Sequence, residues 1–134
     1  MQQGEENLII SAFKILSHEL HQNSLDKGFW EDEDKLLFKC SEDPKLYKRV
    51  RLLFDAEKIA LSHSELSEGL EIARKDINTP DANCPEFPNF LIEMVDTVIR
   101  ILEHCQRRNL PFGDALIAKH NFNLTRPKMH GKNN

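Results

Sequence analysis

The chain is poor in the features that mark many protein classes. Glycine occurs five times in 134 residues, and aromatic residues make up 7%. So little glycine excludes collagen-like and low-complexity chains. The three cysteines, Cys40, Cys84 and Cys105, are odd in number and far apart. They exclude a disulfide scaffold and a Cys-x-x-Cys zinc knuckle, and they suit a reducing compartment. No apolar run approaches the roughly twenty residues of a membrane span. The start, Met1 to Glu6, lacks the positive charge of a secretory leader. Eighteen basic against twenty-two acidic residues leave a net charge of −4, which argues against a binder of nucleic-acid polymers. There is no Gly-rich phosphate loop, no dinucleotide fingerprint and no nucleophile elbow. The expectation is a soluble, cytoplasmic protein that does not engage membranes.

What is present is helical periodicity. At 40% hydrophobic residues, one domain of this length can bury a core without staples. Leu8, Ile9, Ala12, Phe13, Leu16 and Leu20 recur at three and four, which predicts a helix over 5–22. Residues 23–43, with Gly28 and the acidic run from Glu31 to Asp34, read as a connector with a short helical piece. Ser41 to Pro44 reads as a helix start, because proline in the first turn loses no hydrogen bond. That helix runs to about Lys75. Gly69 interrupts it at a cost of about 1 kcal/mol relative to alanine, which suggests a close packing point. Residues 76–85 are loop by composition. Further helices are predicted from Glu86 to Arg108 and from Gly113 to Thr125. The second ends before Arg126 and Pro127, because a residue preceding proline avoids helical geometry. A tail follows from about 127. The expected architecture is a single all-α domain over 1–134, a bundle of four principal helices.

Two carboxylate pairs stand out. Glu65 and Glu68 lie three apart on one predicted helix, and Glu93 and Asp96 on the next. Residues three apart face the same way, about 60° from each other. If the helices pack antiparallel, four carboxylates converge. Their repulsion would raise their pKa values, and a hard divalent cation with a taste for oxygen would relieve it. The alternative is a solvated acidic face, and spacing alone leaves both open. Leu61 and Ile72 share the arc of Glu65 and Glu68, which points to partial burial. On the next helix Glu93, Asp96, Arg100 and Glu103 form a polar stripe opposite Leu91, Val95, Val98 and Leu102. His18 and His21 are three apart rather than the four of a zincin helix, so a solvated face is the better reading. No Glu-x-x-His motif is present, which disfavours a di-iron oxidase.

The C-terminal segment from Ala115 onward has no acidic residue. Lys119, Asn123 and Arg126 fall within about 60° on a helix. An ammonium, an amide and a guanidinium suit phosphate oxygens. Equally, cations at a helix C-terminus complement its dipole.

Three segments taken together resemble a known family. They are Glu57 to Glu71 with its Glu65/Glu68 pair, Glu93 to Leu102 with its Glu93/Asp96 pair, and the ending Lys119, Asn123, Arg126, Pro127, His130, Gly131 and Lys132. With Gly28, Phe29 and Trp30 in the connector, the chain resembles the MazG-like nucleotide pyrophosphohydrolases of the all-α nucleoside-triphosphate pyrophosphatase superfamily. The resemblance spans residues 8–132. It implies Mg²⁺-dependent hydrolysis of a nucleoside triphosphate to the monophosphate and pyrophosphate, by metal-activated water attacking the α-phosphorus. Mn²⁺ would be a substitute cation. It implies Glu65, Glu68, Glu93 and Asp96 as metal ligands, with Glu65 or Glu68 orienting or deprotonating the water. Lys119, Asn123 and Arg126 would contact phosphates or sugar. Trp30 would line a base or sugar pocket, against the plainer reading of a core aromatic. Family members assemble as homodimers or dimers of dimers, and some clear modified nucleotides in house-cleaning. Gly69 departs from the family's usual alanine, and His63 reads as packing or solvated. The alternatives are a phosphoribosyl-ATP pyrophosphohydrolase with the same carboxylates, and a helical interaction module without chemistry.

Overall fold

A computed structural model describes residues 1–127, and every described regular element is a helix. In chain order these are α1 (Gln3–Asp26), α2 (Glu31–Lys39), α3 (Pro44–Ala73), α4 (Asn89–Arg107) and α5 (Phe112–Leu124). Besides the four principal helices expected, α2 forms the short helical piece expected within the 23–43 connector. Its first turn is Glu31, Asp32, Glu33 and Asp34. Four acids there complement the positive end of the helix dipole, so the acidic patch supports the start of this helix.

The long helix α3 begins as its sequence demands. The Asp43 carboxylate accepts hydrogen bonds from the backbone N–H of Lys45 and of Leu46, both at 3.0 Å, and Pro44 opens the first turn. The most extensive pairing in the fold is α3 with α4. Helix α1 packs on α4 and carries α5, while α2 rests on α3. Where α5 starts, a Cβ at Gly113 would lie 3.1 Å from the Ile10 backbone. Glycine there lets α5 seat against α1, with the Phe13 and Phe112 rings 5.4 Å apart.

The connection from α3 to α4 is ordered by its own hydrogen bonds. Asp81 N–H donates to the Phe87 carbonyl at 3.0 Å, and Asn89 N–H to the Thr79 carbonyl at 2.8 Å. The Asp81 carboxylate accepts from the Asn83 and Cys84 N–H groups at 2.8 and 2.7 Å, a local turn held by its own side chain. The chain thereby doubles back and α4 runs antiparallel to α3. Helix α4 starts at Asn89 rather than near Glu86, because residues up to Pro88 belong to this closed loop.

Gly69 sets the closeness of the two helices. It is buried, and a Cβ there would meet Met94 Cε at 2.5 Å and Glu93 Cβ at 3.4 Å. The cost of glycine inside α3 is offset by this approach, one residue from Glu68. No described helix is long and apolar enough to cross a membrane.

Candidate functional site

The antiparallel register brings the acids of α3 and α4 together. One carboxylate oxygen each from Glu65, Glu93 and Asp96 lies within 4.8 Å of the other two. All three residues are half-buried, and the Glu65 side chain is 12% exposed. Glu68 is exposed and stands outside this trio. It borders a groove with Ser64, Glu71, Asn89 and Glu93.

The electrostatics follow from the crowding. Burial raises the Glu93 pKa, and the charges of Glu68, Glu65 and Asp96 raise it further. Burial also raises that of Asp96, as do Glu65, Asp81 and Glu68, while Arg100 acts in the opposite sense. These are the shifts expected of like charges held in one place without a full counter-charge. Asn89 adds a donor. With its amide nitrogen turned toward these acceptors, it bonds Asp81 Oδ2 at 2.9 Å and Glu93 Oε1 at 3.2 Å. Arg100 supplies the one ion pair made by the trio among the described residues, its Nε donating to Glu65 Oε1 at 2.5 Å and its Nη2 pairing with the same oxygen.

Beside the trio opens a cavity of about 330 Å³, whose walls include Trp30, Lys58, Glu65, Asp96, Arg100 and Glu103. Carboxylates and cations therefore share one concavity with an indole. Trp30 is 2% exposed. Its Nε1–H donates to Ser24 Oγ at 2.7 Å, the Lys58 ammonium sits 4.2 Å from its ring centre, and the His21 ring meets it edge-on at 5.2 Å. Trp30 is thus a packed element of the wall, its polar handle already used. His21, read from the sequence as half of a solvated face, is half-buried against it. Glu103 is also half-buried, and burial raises its pKa against the opposing effects of Ser24, Arg100 and Lys58.

A charged network holds α2, and with it Trp30, against the α3–α4 pair. Arg108 Nη1 donates to Glu33 Oε1 at 2.6 Å, and Arg108 Nε donates to Asp55 Oδ1 at 2.6 Å. His104 Nε2 lies 2.9 Å from Asp55 Oδ1, and Arg107 pairs with Asp34. Burial alone would raise the Asp55 pKa, but the bonds from His104 and Arg108 outweigh it and the net shift is downward.

The C-terminal set lies elsewhere. Lys119 and Asn123 are exposed on α5, and Arg126 lies beyond the end of that helix. The shared helical face drawn for all three is therefore cut short after Asn123. Lys119 and Arg126 flank Phe122, at 4.9 and 5.9 Å from its ring centre. None of the three lines the cavity or the groove beside the acids. His130, Gly131 and Lys132 lie outside the described residues. His63 is exposed. Sequence reasoning passed over Asp81, Lys58 and the pairing role of Arg100. Arg100 had a visible signal, four residues after Asp96 on the same stripe. Asp81 had none, being one polar residue in a polar loop.

Comparison with protein-family models, with curated proteins and with solved structures finds no match for this chain.

Proposed function

We propose that the protein is a Mg²⁺-dependent nucleotide pyrophosphohydrolase that cleaves a nucleoside triphosphate to its monophosphate and pyrophosphate. The observation that carries this reading is the convergence of Glu65, Glu93 and Asp96 within 4.8 Å, beside a cavity that also presents Lys58 and Arg100. An all-oxygen donor set, in which burial and neighbouring charges raise the pKa values of Glu93 and Asp96, fits a hard divalent cation better than a soft one. Glu65, Glu93 and Asp96 would hold the ion, with Glu68 as a further carboxylate beside them. When bound, Mg²⁺ or Mn²⁺ would supply neutralisation of phosphate charge and activation of water. Glu68 or Glu65 would orient the water that attacks the α-phosphorus and take its proton. The cationic side chains steady the charge that builds on the departing pyrophosphate. The resemblance to the MazG-like enzymes supports the same assignment and adds Lys119, Asn123 and Arg126 as phosphate or sugar contacts.

The assembly we propose is a homodimer or a dimer of dimers. Leu91, Val95 and Val98 form an open apolar stripe on α4, and Ile59, Leu66 and Leu70 are open on α3. Apolar surface of this kind fits a protein partner, and a second subunit would also give Lys119 and Arg126 a cavity to serve.

A panel of canonical and modified triphosphates with Mg²⁺, read by pyrophosphate release, tests the activity. Glu68→Gln and Asp96→Asn are expected to abolish turnover while keeping the helical circular-dichroism spectrum. Including phosphoribosyl-ATP separates the neighbouring pyrophosphohydrolase activity. Wild-type protein that releases no pyrophosphate from any member and binds no Mn²⁺ would leave a helical interaction module as the better account.

A further inference from the structure

The acidic trio already has a partial counter-ion, and it belongs to the chain itself. Arg100 lies one turn after Asp96 on α4 and directs both Nε and Nη2 at Glu65 Oε1. Glu65 is one of the three residues whose oxygens converge. A guanidinium keeps its charge at any ordinary pH, so Arg100 opposes the repulsion among Glu65, Glu93 and Asp96 before any ligand arrives. Its side chain is 39% exposed, against 12% for Glu65. The acid is held in place while the base retains room to move. Arg100 also lines the cavity, so leaving Glu65 would not require it to leave the site.

We propose that Arg100 is a resident counter-ion of the carboxylate cluster, which a divalent cation must displace from Glu65 in order to bind. The inference rests on the metal reading above and deepens it. The Glu65 oxygen engaged by the guanidinium cannot at the same time give its full electron density to a cation. Binding therefore exchanges one positive partner for another. Such an exchange sets metal affinity lower than the bare acid cluster would, and makes occupancy respond to the concentration of free cation.

The sign of one measurement decides it. Arg100→Gln should bind Mn²⁺ alone, without nucleotide, about three- to fivefold more tightly than wild type by calorimetry. That is the size of losing a partly screened competing ion pair. A residue that merely braced Glu65 would give the opposite result, weaker binding on removal. Unchanged or weaker Mn²⁺ binding by Arg100→Gln, with wild type binding normally, overturns the proposal and leaves the function intact. Wild-type protein that binds no Mn²⁺ removes the function and this inference together. A second readout needs no variant. On titration of wild-type protein with Mg²⁺, the Arg100 Nε–H resonance should shift and its exchange with water should quicken as the bond to Glu65 breaks. A resonance that stays put while Mg²⁺ saturates the site overturns the proposal.

Discussion

Replacing Arg108 by methionine tests whether the buried charged network holds the molecule together. The Arg108 side chain is 8% exposed and that of Glu33 is 1% exposed. Arg108 gives two charged hydrogen bonds, each 2.6 Å long, to Glu33 on α2 and to Asp55 on α3. A charged hydrogen bond contributes roughly 1.5–3 kcal/mol, and the two are not additive. The larger effect is what remains: a buried Glu33 carboxylate that has lost its direct hydrogen-bonded partner and keeps only Arg107 Nε, 3.8 Å away. Breaking a buried pair from one side costs about 3–5 kcal/mol. Against a typical total stability of about 5–15 kcal/mol, Arg108→Met should lower the urea midpoint by roughly 2 M, taking a slope of about 1–3 kcal/mol per molar. The sequence has one tryptophan, Trp30, which precedes α2 as its N-terminal cap residue. Its fluorescence therefore reports on the docking of α2, and a red shift should accompany the loss of stability. The double variant Glu33→Leu/Arg108→Met should be more stable than Arg108→Met alone, because the uncompensated charge is gone. An Arg108→Met protein within about 1 kcal/mol of wild type would refute the reasoning and mark the network as solvated.

Four further outcomes follow from the same structure. Asp96→Asn removes one like charge from the acid cluster, so it should raise the thermal midpoint of metal-free protein while weakening Mn²⁺ binding by at least about tenfold, read by scanning fluorimetry and calorimetry. The raised pKa values of Glu93 and Asp96 mean that the folded state binds more protons than the unfolded one between their ordinary and raised values. Metal-free stability should therefore fall as pH rises through that window, and saturating Mg²⁺ should cancel the fall. Asp55 has the opposite sign. Its lowered pKa stabilises the fold above the ordinary aspartate value of about 3.9, and that contribution is lost on further acidification, as denaturation at a series of pH values would show. Val98→Asp, on the open apolar stripe of α4, should convert the proposed dimer to monomer in sedimentation equilibrium without loss of helix.

The helices were legible where local chemistry decides them. Asp43 and Pro44 mark the start of α3 by themselves, and the residues after Leu124 end α5 before Pro127 as the proline rule demands. Helix α2 was legible too, but its acidic first turn was weighed as charge rather than as a dipole partner. The carboxylate spacing showed which acids share a face. It did not show that Glu68 stands outside the trio while Asp81 comes near it, because both depend on how α3 and α4 are offset. That offset is set by the closed loop ahead of Asn89 and by the contact of Gly69 with Met94, neither of which has a periodic signature.

Helix α4 shows most clearly why a single helix read alone misleads. Its two stripes were evident, but a wheel does not say which stripe a neighbour covers. Ordinary amphipathic packing would turn Leu91, Val95 and Val98 inward. Here they are exposed, while Arg100 pairs with Glu65 and His104 with Asp55 across the α3–α4 contact. Leu102, fully buried on the same helix, keeps an apolar anchor at the α4 centre. The inversion is consistent on both sides. Carboxylates crowded between two helices are unfavourable by themselves and become favourable once a cation binds them. An apolar stripe open to water is likewise unfavourable alone and becomes favourable once another surface covers it. On the proposed reading each face of α4 would gain from a binding event, a cation beside its acids and a second surface over Leu91, Val95 and Val98.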